Sequence, residues 1–82
     1  MSHTPHELAE EFPADTALIH DLKVSDTAFR TLADRYHEVN RAIHRAETNI
    51  EPTDQFHEEE LRKERLLLKD QIAARISAAQ PS

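Results

Sequence analysis

Glycine and cysteine are both missing from this 82-residue sequence. Without glycine, the chain cannot form the glycine-rich loops that hold phosphates in dinucleotide-binding folds, P-loop NTPases and protein kinases. Without cysteine, it has no disulfide, no thiol nucleophile, no iron–sulfur cluster and no thiolate ligand for zinc. The sequence therefore excludes several classes of nucleotide-dependent and thiol-dependent enzyme.

Long apolar segments are missing as well. Only 38% of the residues are hydrophobic and the mean hydropathy is -0.73, so we predict no helix that spans a membrane. The N-terminal residues combine no basic segment with an apolar one, so we predict no secretion signal and a cytoplasmic protein. A length of 82 residues fits a single domain over 1–82.

The negative charge is concentrated near the N-terminus. Residues 1–26 contain six acidic residues and one basic residue, whereas residues 27–82 contain ten acidic and nine basic residues. Nearly all of the net charge of -6 therefore lies in the first third of the chain. This distribution disfavours a general nucleic-acid binder, which needs a surplus of lysine and arginine to release counterions from phosphates.

Short acidic helices are predicted over residues 1–25. The segment Thr4–Glu7 has the pattern of a capping box with proline at the first helical position, which predicts a helix through about Glu11. Pro13 ends that helix and can open the next one. Apolar residues at helical spacing then predict a second helix from Ala14 to about Lys23.

A longer helix follows. We favour a bend before it, because Ser25 or Asp26 can serve as its N-cap, but the apolar spacing continues through this point and also allows one continuous helix. Its apolar residues alternate spacings of three and four, which is a heptad pattern and indicates a stripe that packs against another helix. Those residues are Phe29, Leu32, Tyr36, Val39, Ile43, Ala46 and Ile50. We expect this helix to end near Thr48, because Asn49 tolerates the left-handed conformation that commonly ends helices.

A final helix is predicted after Pro52, capped by Thr53 or Asp54. Its apolar positions are Leu61, Leu68, Ile72 and Ile76, with Leu66 and Leu67 widening the apolar face. A connection near residues 49–53 is so short that the two long helices must run antiparallel. The predicted fold is therefore all-α, a long coiled-coil-like helical hairpin over 26–78 preceded by one or two short N-terminal helices and followed by a frayed tail at 79–82.

The apolar stripe of the hairpin, which we call the seam, is the strongest feature of the sequence. A lone hairpin buries little surface, so its remaining apolar residues need cover from the N-terminal helices or from a second copy. Either the seam packs only within the chain, or it also contacts another molecule. We predict a non-enzymatic interaction or adaptor protein whose partner is itself, as a homodimer or tetramer, or another protein. The predicted contact residues are Phe29, Leu32, Tyr36, Val39, Ile43, Leu61, Leu68 and Ile72.

Basic residues on both long helices suggest an alternative function. Arg41, Arg45, Arg62 and Lys69 could contact RNA and make the protein an RNA-associated regulator. Pairing with the chain's own acidic residues is the favoured interpretation of these side chains. Asn40, beside the seam, is either exposed or sets the helix register by hydrogen bonding.

Six histidines raise the question of a metal site. His37 and His44 share a helix face, but two turns separate them by about 10 Å, too far for one ion. The run of glutamates at 58–60 is typical of a solvated helix start, and no nucleophile lies beside a base in a known motif. We therefore predict no metal, no cofactor, no small-molecule substrate and no enzymatic activity.

Two segments together resemble a known protein family. They are Phe29-x-x-Leu32-x-x-x-Tyr36-His37-x-Val39-Asn40-x-x-Ile43-His44-Arg45-x-Glu47 and Leu66-x-Leu68-Lys69-Asp70-x-Ile72. The combination resembles the YdcH-like family of small bacterial proteins, and the resemblance covers nearly the whole chain. It implies a small helical, coiled-coil-like hairpin and no established biochemical activity.

Overall fold

The computed structural model describes residues 5–48 and 55–80. In the second range, side chains are described from residue 57 onward. Its helices are α1 (Leu8–Glu11), a short 3₁₀ helix (Pro13–Asp15), α2 (Thr16–Ser25), α3 (Thr27–Thr48) and α4 (Gln55–Ala79). The described residues contain no strand, and the two long helices pack against each other. The protein is all-α, as the sequence predicts.

The start of the chain differs from the prediction. Helix α1 begins at Leu8, and Glu7 is its extended N-cap without a side-chain cap hydrogen bond. The predicted helix start at Pro5 and the predicted capping role of the Glu7 side chain are therefore wrong. Thr4, the other residue of the predicted capping box, lies outside the described residues. His6 has a φ of 64°, a left-handed conformation that favours glycine, and this chain has none.

Proline and aspartate break the N-terminal half where the sequence predicts. Pro13 opens the 3₁₀ helix, and α2 begins and ends about two residues later than expected. Asp26 is extended and interrupts the helical path, and its Oδ1 accepts a 3.2 Å hydrogen bond from the backbone N–H of Phe29. The predicted bend and the capping role of Asp26 are confirmed.

Ion pairs between α3 and α4 show how the long helices are matched. Arg75 Nη1, late in α4, lies 3.6 Å from Asp26 Oδ2, just before α3. Arg62 Nη2, early in α4, lies 3.1 Å from Glu47 Oε1, at the end of α3. This is the order expected of an antiparallel helix pair. The predicted connection at 49–53 and its caps lie outside the described residues.

Helix α4 is longer than predicted at its C-terminal end. It continues to Ala79, and the Gln80 side-chain amide donates a 2.9 Å hydrogen bond to Asp15 Oδ1. The predicted frayed tail at 79–82 therefore starts too early, because residue 79 is helical and residue 80 is tied to the 3₁₀ helix. Residues 81 and 82 lie outside the described part of the chain.

The core lies between α3, α4 and the N-terminal helices. Leu8 from α1 and Ile19 from α2 are buried with the seam, and Phe12, Leu18 and Leu22 pack against it. The N-terminal helices therefore supply cover for the hairpin within a single chain. Removing this apolar surface from water is the main force that holds these short helices in place.

Candidate interaction surfaces

The predicted seam packs inside the chain. Five of its eight residues are at most 1% exposed, and Leu68 is 7% exposed, whereas Leu32 and Leu61 are half-buried. The five are Phe29, Tyr36, Val39, Ile43 and Ile72. The structure thus brings the seam residues together as a core. Their contact with a partner stays a prediction, and for these five it would require the hairpin to open.

Ala33 is a member of this core that sequence reasoning missed. Its side chain is fully buried at four residues after Phe29 and three before Tyr36, so it lies on the same helix face. The available signal was this spacing. Alanine contributes little apolar surface, and its presence at the contact lets the packed helices approach closely.

The segment 5–11 crosses the hairpin, and we call it the N-terminal clamp. The Tyr36 hydroxyl donates a 2.6 Å hydrogen bond to the His6 carbonyl. The Asn40 side-chain amide donates a 2.8 Å hydrogen bond to the Pro5 carbonyl. These carbonyls accept hydrogen bonds from α3. The positive φ of His6 is incompatible with a right-handed helix at that residue, and α1 begins only at Leu8.

Asn40 connects the clamp to both long helices. It is 1% exposed, and its Oδ1 accepts a 2.9 Å hydrogen bond from Arg65 Nη1 of α4. A buried amide without partners would destabilise the fold by about 1 to 3 kcal/mol, so these two hydrogen bonds make its burial tolerable. Of the two predictions for Asn40, hydrogen bonding beside the seam is the correct one.

Burial also changes the acidity of Tyr36. Desolvation raises the pKa of its phenol to about 12, the negative charges of Glu11 and Glu7 act in the same direction, and Arg65 opposes them. The phenol is therefore protonated at neutral pH, as its role as a donor to His6 requires.

A cluster of charges fastens the other end of the clamp. His6 Nδ1 lies 2.9 Å from Glu11 Oε1, and Lys69 Nζ from α4 lies 3.5 Å from the same oxygen. The hydrogen bond from His6 is the main reason that the pKa of Glu11 is lowered; burial opposes it and the charge of Lys69 supports it. Glu11 therefore joins the clamp to α4 as a carboxylate.

A shallow cleft of about 230 Å³ lies beside α1 and α2, lined by residues that include Ile19, His20 and His37. His37 Nδ1 lies 2.8 Å from Glu7 Oε2, yet this atom is buried without a hydrogen bond of acceptable geometry. The distance allows attraction when the imidazole is charged, but the angle does not give a directed bond. The contact is therefore a weak additional link between the clamp and α3.

The four basic residues of the RNA alternative do not share one surface. Arg41 and Arg45 line a groove on α3 together with Glu38, whereas Arg62 and Lys69 line a different groove beside the clamp. Arg62 also pairs with two carboxylates of the chain, those of Glu47 and Glu58, and Lys69 pairs with one, that of Glu11. Self-pairing thus accounts for two of the four residues, and RNA contact stays a prediction.

Leu66 and Leu67 are large apolar residues of α4 that are 61% and 59% exposed, and Leu66 also lines the groove beside the clamp. The prediction that they widen the buried face is wrong. They precede Leu68 by two residues and one, which turns their side chains about 160° and 100° away from its direction. Lys63 and Asp70 are also exposed. We call the surface of these four residues, Lys63, Leu66, Leu67 and Asp70, the outer face of α4.

Metal-ligating residues do not converge in the described part of the chain. Across 5–48 and 55–80, no group of three or more histidine, aspartate or glutamate side chains is arranged to hold a metal ion. Within the same ranges, no helix has the length and apolar character needed to cross a membrane.

Most of the hairpin lies within a match to a known protein family. Residues 29–76 match the DUF465 family, described as a protein of unknown function. The chain belongs to the DUF465 family. This confirms the YdcH-like resemblance, since YdcH is a member of the family. The match covers most of α3 and α4, whereas the clamp and α2 precede the matched residues. No curated protein and no solved structure matches the chain.

Proposed function

We propose that this DUF465 protein is a non-enzymatic interaction protein that acts by packing a helix surface against another protein chain. The observation that carries the proposal is the outer face of α4, where Leu66 and Leu67 are adjacent and more than half exposed. Full burial of a leucine side chain is worth about 1.5 to 3 kcal/mol. Two neighbouring leucines on a regular helix can therefore contribute substantially to association.

The polar groups near the clefts support a role without catalysis. The Tyr36 hydroxyl and the Asn40 amide bond to backbone carbonyls of the clamp, and the Glu11 carboxylate bonds to His6 and Lys69. A catalytic group must be free to exchange protons or bonds with a substrate. These groups are instead used to hold the N-terminal segment on the hairpin.

The outer face is a better contact surface than the seam. Contacting a partner through Tyr36 or Ile43 would require the hairpin to open and would expose a packed core. Contact through Leu66 and Leu67 requires no rearrangement, and most preorganised surfaces change little on binding. The partner is a second copy of the chain or another protein.

The test replaces the two leucines together, as Leu66→Gln with Leu67→Gln. Both are exposed, so the variant should keep the helical circular-dichroism spectrum of the wild type and, at a concentration where both proteins are monomeric, its melting temperature. If the wild type self-associates by light scattering over a concentration series, we expect the variant not to do so. If the wild type captures proteins from a native lysate, we expect the variant not to capture them.

Val24→Gln is the matched control, because Val24 is a 77% exposed apolar residue on α2. This variant should associate like the wild type. The proposal fails if the folded double variant associates and captures proteins as well as the wild type does. It also fails if the wild type neither associates nor captures any protein.

A further inference from the structure

We infer that the outer face of α4 docks against the same face of a second copy of this chain. The two α4 helices would cross antiparallel, related by a two-fold axis that passes between Leu66 and Leu67. This inference rests on the proposed function and specifies its partner. In such an isologous contact, both copies use the same surface. If one residue of the first copy contacts a second residue of the other copy, the two-fold axis repeats that contact with the copies exchanged.

The sequence of the outer face is arranged symmetrically around its two leucines. Lys63 lies three residues before Leu66, and Asp70 lies three residues after Leu67. An antiparallel two-fold pairing therefore places Leu66 against Leu67 of the partner subunit. The same pairing places Lys63 against Asp70 of the partner subunit, twice per dimer.

Both charged residues are available for this pairing. The Lys63 side chain is 75% exposed, and its ion pair with Glu60 spans 3.8 Å. Asp70 is exposed and forms no ion pair with any residue in 5–48 or 55–80. The charges flank a desolvated apolar contact, where opposite signs favour one orientation of the partner.

The same charges disfavour the parallel arrangement. If two copies of α4 ran in the same direction, Lys63 would face Lys63 of the partner subunit and Asp70 would face Asp70 of the partner subunit. Like charges would then lie opposite each other. In the antiparallel arrangement, the next pair outward matches Glu59 with Ala74 of the partner subunit, so no like charges meet there. The charge pattern thus selects both a second copy and its direction.

Charge reversal tests the pairing on the full-length protein. Lys63→Asp and Asp70→Lys each convert two attractive contacts per dimer into two repulsive ones. We expect each change to weaken self-association about tenfold in sedimentation equilibrium at low salt. The double variant that carries both changes should recover the wild-type dissociation constant. An equimolar mixture of the two single variants should associate as well as the wild type, because the mixed pair is complementary.

Arg45→Asp is the matched control, since Arg45 is exposed on α3 and its reversal changes the net charge as Lys63→Asp does. It should leave the dissociation constant unchanged. A second measurement is zero-length crosslinking of mixed ¹⁴N- and ¹⁵N-labelled protein. The mass spectrum should contain a Lys63–Asp70 peptide pair with one light and one heavy member.

Three results would overturn the inference. The first is self-association that both single reversals leave unchanged, and the second is a double variant that stays as weak as the single variants. The third is a wild-type protein that is monomeric at the highest concentration reached. If in that third case Leu66→Gln with Leu67→Gln still abolishes capture of a lysate protein, the proposed function stands and only the second-copy partner is wrong.

Discussion

The hydroxyl of Tyr36, in the middle of α3, donates a 2.6 Å hydrogen bond to the backbone carbonyl of His6. This contact joins the helical hairpin to the N-terminal clamp. It fixes a carbonyl that precedes α1 and whose residue has a positive φ. The clamp is therefore held by specific hydrogen bonds as well as by the burial of Leu8.

Replacing Tyr36 with phenylalanine should loosen the clamp. Tyr36→Phe keeps the buried ring and leaves the His6 carbonyl without its donor, so the free energy of unfolding should fall by about 0.5 to 1.5 kcal/mol. Urea denaturation measures this change, and amide exchange should become faster over 5–25 than in α4. Unchanged stability together with unchanged exchange would show that the hydrogen bond is unimportant.

Asn40 should be more sensitive to substitution than its exposed neighbour. Asn40→Leu removes the partner of the Pro5 carbonyl and of Arg65 together, and we expect a loss of about 1 to 3 kcal/mol in the free energy of unfolding. Arg41→Ala, one residue later on an exposed side of α3, should change it by less than about 0.5 kcal/mol. Equal effects at the two positions would contradict the bridging role of Asn40.

The clamp should weaken in acid through Glu11. Folding lowers the pKa of this carboxyl because His6 and Lys69 favour its ionised form. Its contribution to stability is therefore complete above the ordinary pKa of 4.5 and is lost as pH falls through the lowered folded pKa. The difference in unfolding free energy between the wild type and Glu11→Gln should shrink as pH falls through that acid range. A difference that grows in acid would contradict this sign.

Truncation of a side chain should reduce stability much more in the seam than on the outer face. Phe29→Ala removes a fully buried side chain, and we expect it to lower the free energy of unfolding by about 3 to 5 kcal/mol. Leu66→Ala removes an exposed side chain and should change it by less than about 0.5 kcal/mol. Thermal melts at a concentration where the protein is monomeric distinguish the two. A small effect of Phe29→Ala would mean that the seam is not the core of the single chain.

Asp26 combines a helix cap with an ion pair, and two substitutions separate these roles. Asp26→Asn keeps a capping side chain and loses the charge that faces Arg75, so it should cost at most about 1 kcal/mol. Asp26→Ala removes both, and the lost cap alone should cost about 0.5 to 2 kcal/mol. Chemical denaturation should therefore rank the wild type above Asp26→Asn and Asp26→Ala last. Equal stability of the two variants would mean that the cap contributes nothing.

The helices and most of the seam could be predicted from local patterns. Heptad spacing from Phe29 onward predicted the long helices, and Pro13 and Asp26 predicted the breaks, because both features depend on neighbouring residues. The three consecutive leucines at 66–68 were harder. Helical spacing alone allows several apolar faces there, and only the position of α3 decides that Leu68 turns inward.

The sequence by itself determined an all-α chain with a long hairpin, since proline, capping residues and apolar spacing act within a few residues of one another. Only the tertiary structure decided how the first residues are held. The partners of Pro5 and His6 lie 35 and 30 positions away along the chain, and no local pattern encodes such a distance. Tertiary packing also separated the basic residues into two grooves and left Leu66 and Leu67 exposed, because burial depends on which neighbouring helix covers each face.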